Sequence, residues 1–342
     1  MSADGLRKGY PLTSSELSAL VEAAVPHGGF GDAGKALQES VPTVLAIGAF
    51  DGVHLGHREL LGACVREARA RGMRSAVVTF DPDPSELLAG DRAQKRLLSI
   101  EDRVAFCKSL GIDEVRIVPF TSEFAAHSPE EFIANACESF GSISSIHVGE
   151  NFRFGVRGSG DIETLRALGV RYSFDTTAHP LCVLGGAPVS STRIRSALVE
   201  GKVDEAARLL GRHHFVRGTV AHGRGEGTSF GFPTANVCCD GRSCMPGEGV
   251  YACVVTDGQH AWPAAANVGA PPTFSAHRDA FLEANLIGFE GDLYGTDLAV
   301  VFVEWLRASR PFSSLEELER VVLGNIDWVR RNLGDTSVEV GI

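Results

Sequence analysis

From Val44 onward, apolar runs of strand length alternate with stretches whose apolar residues recur at helical spacing. The runs Val44–Phe50, Ser75–Phe80, Glu114–Phe120, Ser145–Gly149 and Arg171–Phe174 predict β-strands. Between them, Arg58–Arg71, Ile100–Leu110, Pro129–Phe140 and Glu163–Leu168 predict helices. Strands with continuous apolar runs, alternating with helices, imply a parallel sheet covered on both faces. Ligands of such sheets sit at the carboxyl ends of the strands. Two more helical stretches follow, Thr192–Glu200 and Val203–Leu210, and Gly211 ends the α/β region.

Beyond Gly211 the texture changes. The runs Phe215–Ala221, Val250–Asp257, Trp262–Val268, Glu283–Phe289 and Leu298–Leu306 are joined by Gly- and Pro-containing turns with no long helix between most of them. That pattern predicts an antiparallel sheet or small β-barrel, followed by an amphipathic helix at Leu315–Leu333. Residues 1–42 are rich in Gly, Ala and Ser, with a helix expected at Ser14–Ala24 and a loop at Pro26–Gly34. Three segments result: an N-terminal extension at 1–42, an α/β domain at 43–211 and a β-domain at 212–335.

Composition narrows the partners. A chain of 342 residues exceeds one ordinary core, which fits two folded domains. A net charge of −11 argues against a general nucleic-acid binder, though a phosphate site needs only local donors and a metal ion. No apolar run reaches the roughly 18 residues of a membrane span, and Met1 to Tyr10 hold no signal-type apolar stretch. The eight cysteines are scattered without a Cys-x-x-Cys pair, so reduced thiols in a cytoplasm are expected.

The most informative string is Gly48-Ala49-Phe50-Asp51-Gly52-Val53-His54-Leu55-Gly56-His57, between the first strand and the first helix. Its glycines permit close backbone approach to a ligand, and the helix N-terminus offers free N–H groups to a phosphate. His54 and His57 can donate to a phosphoryl group as charge develops on it. Read from the residues alone, the string is also compatible with an ordinary turn whose histidines satisfy backbone. A His-x-x-His metal pair is a third possibility. The string resembles the Gly-x-Phe-Asp-Gly-x-His-x-Gly-His motif of the nucleotidyltransferase superfamily, in its FMN adenylyltransferase branch. Ser190-Ser191-Thr192-Arg193-Ile194-Arg195 resembles the family's phosphate motif, and Gly149-Glu150-Asn151-Phe152-Arg153-Phe154-Gly155 a further family segment.

The resemblance implies a Rossmann-like domain. His54 and His57 would be catalytic there, with Gly48, Phe50, Ser191, Thr192 and Arg195 around ATP phosphates and Phe80, Pro82, Pro84 and Asn151 around the flavin. The chain departs from the family at Ala49, where Asn is usual, and at Asp83, where His is usual in Phe-x-Pro-His-Pro. Asp83 brings a negative charge that either weakens adenylylation or helps hold a metal ion.

In the β-domain, Gly231-Phe232-Pro233-Thr234-Ala235-Asn236 follows the loop His222-Gly223-Arg224-Gly225-Glu226-Gly227. Pro233 favours extended backbone, which sets Thr234 and Asn236 on one face. A hydroxyl and an amide oxygen suit Mg²⁺ carried by ATP, although composition alone favours a plain Gly-rich hairpin. The stretch resembles the riboflavin kinase domain, a small β-barrel whose Pro-Thr-Ala-Asn motif holds MgATP. Asn267-Val268-Gly269 with Pro272-Thr273-Phe274 resembles its Val-Gly-x-x-Pro-Thr-Phe turn, and Glu283 to Gly295 the segment with its catalytic glutamate.

That likeness implies Glu283 as the base, Thr234 and Asn236 as the Mg²⁺ and ATP contacts, and Gly223 over the phosphates. Arg224, Glu226 and Thr228 stand in the covering loop, where Asp and Arg residues are usual, and Asn285 replaces a common His. The resemblance covers about residues 43–335 and implies that riboflavin, FMN, FAD and ATP are substrates or products, with no nucleic-acid or membrane partner. Two alternatives stay open: a riboflavin kinase with a degenerate first domain, and a flavin- or nucleotide-binding regulator without catalysis.

Overall fold

The computed structural model describes residues 10–26, 41–89, 94–222, 234–269, 281–310 and 312–340. The chain forms two compact units. The α/β unit comprises the described residues of Gly28–Gln94 and Ser99–Ser190, and the barrel unit those of Met1–His27, Lys95–Leu98 and Ser191–Ile342.

Helix α1 (Ser14–Ala24) opens the described chain and belongs to the barrel unit. Thr13 and Glu16 close a capping box at its start, and Leu17, Leu20, Val21 and Ala24 bury one face.

The α/β unit then builds β1 (Thr43–Ile47), α2 (Leu55–Ala70), β2 (Arg74–Asp81), α3 (Pro84–Ala89), α4 (Ile100–Ser109) and β3 (Glu114–Pro119). It continues with α5 (Pro129–Phe140), β4 (Ile143–Gly149), α6 (Ile162–Tyr172), β5 (Asp175–His179) and a two-stranded hairpin, β6 (Val183–Leu184) and β7 (Ala187–Pro188). The sheet is parallel in the order β3-β2-β1-β4-β5. β1 is buried along its whole length, as its central place in a covered sheet requires. Leu45, Ile47, Val78, Phe80, Ile146 and Val148 pack on one face against Phe132 and Ile133 of α5 and Leu165 of α6. α2 covers the other face. Strand order reverses between β1 and β4, the place where α/β sheets bind ligands.

The expected strand at Arg171–Phe174 is not one. Helix α6 runs on past Leu168 to Tyr172 because Leu165 and Gly169 are both buried against the sheet. It ends at Ser173 in the left-handed conformation. A Cβ on Gly169 would lie 2.5 Å from the Phe174 carbonyl oxygen, so only glycine lets the chain turn back this tightly. The strand follows at Asp175–His179, an edge position whose half-buried residues give no apolar run. Strand β1 also stops at Ile47, three residues before the expected end, because the turn begins there.

The barrel unit continues with α7 (Ser191–Val199), α8 (Val203–Leu210), β8 (His214–Ala221), β9 (Ala235–Cys239), β10 (Gly249–Thr256) and β11 (His260–Gly269). It ends with β12 (Phe281–Leu286), β13 (Asp297–Arg307), α9 (Leu315–Leu333) and β14 (Val338–Glu339). Six antiparallel strands run in the order β10-β13-β8-β9-β12-β11, and β10 pairs with β11 to close the barrel. Closure removes the free sheet edges that an open sheet would leave.

Around the barrel, α1 lies on β11 and β14, α8 on β8 and β13, and α9 on β10 and β11. Residues Lys95–Leu98 join this unit as well. Arg96 N–H donates to the Arg242 carbonyl at 2.7 Å, and Cys244 N–H to the Arg96 carbonyl at 2.8 Å. The compact units therefore divide the chain elsewhere than at Gly211, since α7 and α8 group with the barrel. Among the described residues no helix is long and apolar enough to cross a membrane. The eight cysteines are free thiols. Burial pushes those of Cys64, Cys107 and Cys239 up to about 12.

Candidate active sites

In the α/β unit, the chain leaves β1 at Gly48, whose N–H donates to the Val78 carbonyl at 3.1 Å. A Cβ there would stand 3.1–3.3 Å from the Phe50 ring, so any larger residue would have to push that buried ring aside by a few tenths of an ångström. The next residues form a strained turn: φ is 50° at Phe50, 83° at Gly52 and 38° at Val53. Positive φ at a β-branched or bulky residue costs about 1–3 kcal/mol and persists only where the surroundings enforce it. Phe50, Asp51 and Val53 are buried, Val53 N–H donates to the Phe50 carbonyl, and the Thr79 hydroxyl donates to the Ala49 carbonyl at 2.9 Å.

The turn delivers two histidines to the start of α2. His54 is the N-cap, and its Nδ1 accepts the His57 N–H at 3.4 Å. An accepting Nδ1 leaves the proton of a neutral imidazole on Nε2, where it can be donated. The His54 and His57 rings stack with centroids 3.6 Å apart and planes 16° apart, and Phe50 meets His57 edge-on at 5.3 Å. Burial holds the His57 pKa well below 6.5, with further lowering from His54 and Arg103. His57 is therefore neutral at pH 7, a hydrogen-bond donor and not a cation. Among the described residues no group of three or more His, Cys, Asp or Glu side chains is placed to hold a metal ion.

The expected flavin residues lie at the carboxyl ends of the strands flanking β1. Phe80, Pro82 and Pro84 follow from β2, and Asn151 follows β4. Phe80 is only 6% exposed, and its ring packs near Phe120, Phe124 and Phe132 in the core. Asp83 has a local role. Its Oδ1 accepts the Ser85 N–H at 2.9 Å and the Ser85 hydroxyl at 2.7 Å, while Asp83 N–H donates to Glu86 Oε1 at 3.2 Å. Asp83 thus caps α3 reciprocally with Glu86, with Pro84 at the first helical position.

Ser191, Thr192 and Arg195 lie on α7, in the barrel unit. The Arg195 Nε donates to the Lys95 carbonyl at 2.7 Å. Ser190 stands just before the first helical residue.

In the barrel, register gathers the second site. On β9, Asn236 pairs with Ala221 of β8 on one side and Glu283 of β12 on the other. Glu283 pairs in turn with Asn267 of β11. Side chains directly opposite each other share a face, with Cβ atoms about 4.5–5.5 Å apart. Asn236, Glu283 and Asn267 thus form one polar row across three strands. Each is half-buried, between fully buried neighbours along its own strand. Thr234, two residues before Asn236, precedes the strand and is also half-buried. Asn285 stands opposite Ala265 in the next row on the same face. The His222 ring lies 3.8 Å from that of Tyr294. Gly223, Arg224, Glu226, Thr228 and Pro272 to Phe274 lie outside the described residues.

Two further residues near these groups carry no clear signal in the sequence. Asn267 resembles part of a turn in sequence, and its place beside Glu283 comes from strand pairing. Arg103 gives no sequence signal, because it is one of several charged residues along α4 and nothing local marks it as buried.

Comparison with known proteins gives a consistent result. A family model for FAD synthetase matches residues 36–193, and one for riboflavin kinase matches residues 210–333. The chain is 38% identical over 277 residues to the bifunctional riboflavin kinase/FMN adenylyltransferase of Escherichia coli strain K12, covering 81% of this chain and 88% of that one. It is 32% identical over 290 residues to the protein of the same description from Bacillus subtilis strain 168, covering 82% and 89%. A crystal structure described as a macrolide-efflux protein from Streptococcus pneumoniae matches with TM-score 0.78 at 30% identity, over 85% of this chain and 94% of that one. With both domains matched in order and relatives aligned over most of its length, the chain belongs to the bifunctional riboflavin kinase/FMN adenylyltransferase family.

Proposed function

We infer that this chain makes FAD from riboflavin in two steps, and that the residues gathered at the two sites carry them. In the barrel, ATP phosphorylates the ribityl 5′-hydroxyl to give FMN. Glu283 accepts the hydroxyl proton as the oxygen attacks the γ-phosphorus and ADP leaves. Thr234 and Asn236 offer hard oxygen donors on one face, which fits a Mg²⁺ ion carried by ATP. Bound there, the ion would neutralise charge on the phosphates. Asn236 and Asn267 flank Glu283 on the neighbouring strands.

In the α/β unit, an FMN phosphate oxygen attacks the α-phosphorus of ATP, and pyrophosphate leaves. Catalysis is positioning and charge stabilisation. His54 and His57, stacked and with His57 neutral, donate to the phosphoryl oxygens at the N-terminus of α2. Gly48 and Phe50 shape the turn, while Ser191, Thr192 and Arg195, on α7 of the barrel unit, are the phosphate contacts that the family resemblance implies. Phe80, Pro82, Pro84 and Asn151 border the flavin, with the Phe80 ring supporting that border from the core. The substrates are small molecules, and the setting is the cytoplasm, without nucleic-acid or membrane partners.

The observation that carries the reading is the strand register that sets Glu283 between Asn236 and Asn267. A carboxylate between two amides in one row of a half-buried face suits a base better than a solvated strand residue. Asp83 does not favour a kinase-only reading, because its carboxylate is occupied as the cap of α3. Riboflavin with MgATP, its products separated by chromatography, tests both steps. FMN followed by FAD is expected. FMN alone would leave a kinase with an inactive partner domain, and no flavin turnover would leave a binding protein.

A further inference from the structure

We propose that Arg103 is a positioning residue for adenylyl transfer, a buried guanidinium that locks the His54–His57 turn to the end of the adjacent strand. The inference rests on the adenylyltransferase reading of that turn. Arg103 lies in the first turn of α4, whose N-cap Ser99 accepts the Asp102 N–H at 3.0 Å. It is 1% exposed and among the largest fully buried side chains of the molecule. Its Nη1 donates to the Thr79 hydroxyl oxygen at 3.2 Å and to the Phe80 carbonyl at 3.1 Å. Its Nη2 stands 3.9 Å from Asp51 Oδ1, on a side chain that is itself 5% exposed. The Thr79 hydroxyl passes the link on, donating to the Ala49 carbonyl at 2.9 Å.

One planar group therefore touches three points directly and reaches a fourth, Ala49, through Thr79. Ala49 and Asp51 belong to the strained turn after β1. Thr79 and Phe80 lie near the carboxyl end of β2, in and beside the expected flavin segment Phe80 to Pro84. The turn needs such a tie, because Phe50 and Val53 hold backbone angles that relax once the surroundings loosen. Relaxation would move His54 and His57, three and six residues after Asp51.

Stability alone does not favour this arrangement. Burying a charge is costly unless it is fully paired, and an apolar residue of like volume often serves a core as well or better. Here the Nε of Arg103 is buried with no hydrogen-bond partner. Lysine could restore the charge but not the fork, whose fixed geometry serves several acceptors together. The Arg103 charge also adds to burial and to His54 in keeping His57 neutral.

The test uses the full chain and its second activity. Arg103→Met keeps most of the volume and removes the fork. Its kcat for FAD formation from FMN and ATP is expected to fall about 100-fold, the scale of a 1 Å misplacement. KM for FMN and ATP should stay within about 3-fold, and FMN formation from riboflavin should be unchanged. Arg103→Lys restores the charge without the fork and should not recover kcat, even where its thermal stability matches the parent. A merely structural role predicts instead that stability and kcat return together in Arg103→Lys, and that outcome overturns the proposal, as does an Arg103→Met kcat within about 3-fold of the parent. If Arg103→Met fails to fold, Thr79→Val decides. It keeps the shape and cuts the link to Ala49, so kcat should drop about 10-fold, on the order of one hydrogen bond at a charged group. An unchanged kcat in Thr79→Val overturns the proposal. Absence of FAD formation by the parent chain would be a different result, sinking the adenylyltransferase reading itself.

Discussion

The two sites of this chain are built in opposite ways. At the proposed adenylyl site, the two histidines come from one continuous stretch, Gly48 to His57. Their geometry is imposed on a strained backbone by buried neighbours outside the stretch, among them Thr79 and Arg103. At the kinase site the backbone is ordinary sheet. Asn236, Glu283 and Asn267 come from three strands far apart in sequence, and the ladder alone makes them neighbours. A loop site is fixed by what holds the loop, whereas a sheet site is fixed by register. Damage should follow the same division. Removing a support of the loop should affect rate while leaving the motif intact, and removing a member of the row should affect its neighbours on the same face.

Substitutions can break this contrast at each site. The largest effect is expected for Glu283→Gln, which removes the base while keeping size and strand pairing. FMN formation should fall about 10²–10⁴-fold with FAD formation from FMN preserved. A kinase rate near that of the parent would remove Glu283 from the chemistry. His57→Ala comes next, with FAD formation reduced about 10²–10³-fold and the kinase spared, as for loss of one placed transition-state donor. Equal loss of both activities would show that the histidine supports folding instead. Asn267→Ala sharpens the register argument. If the amide orients Glu283, kcat of the kinase should fall about 10-fold with little change in KM for ATP. A change confined to KM would place Asn267 in substrate binding.

The smallest effect is expected for Thr13→Ala, which removes the cap of α1 and costs about 1 kcal/mol. Because α1 packs on β11 and β14, the midpoint for thermal loss of kinase activity should fall by about 2–4 °C. Loss of adenylyltransferase activity on heating should be unaffected. A matching fall in both would show that the two units unfold together.

Sequence by itself determined the order of the two domains, the parallel and antiparallel character of their sheets, and the two motif turns. These features rest on local periodicity and on residues whose chemistry is legible in place: glycines where φ is positive, histidines at a helix start, Pro233 before an extended run. It also located Ser14–Ala24 as a helix, whose start the structure closes with a capping box of Thr13 and Glu16. Edge strand β5 stayed hidden, because Asp175–His179 is half exposed and has no apolar run, while its neighbour α6 borrowed the apolar signal of Arg171–Phe174.

Tertiary structure alone decided everything that depends on partners distant in sequence. It placed Lys95–Leu98 and helices α1, α7 and α8 with the barrel, made Asp83 a helix cap, set Asn267 beside Glu283, and turned Arg103 inward beneath the phosphate turn. The physical reason is the range of the forces involved. Helix caps, turns and amphipathic faces are set by residues within a few positions of each other. Strand register and the pairing of a buried charge are settled only when the whole core closes around them.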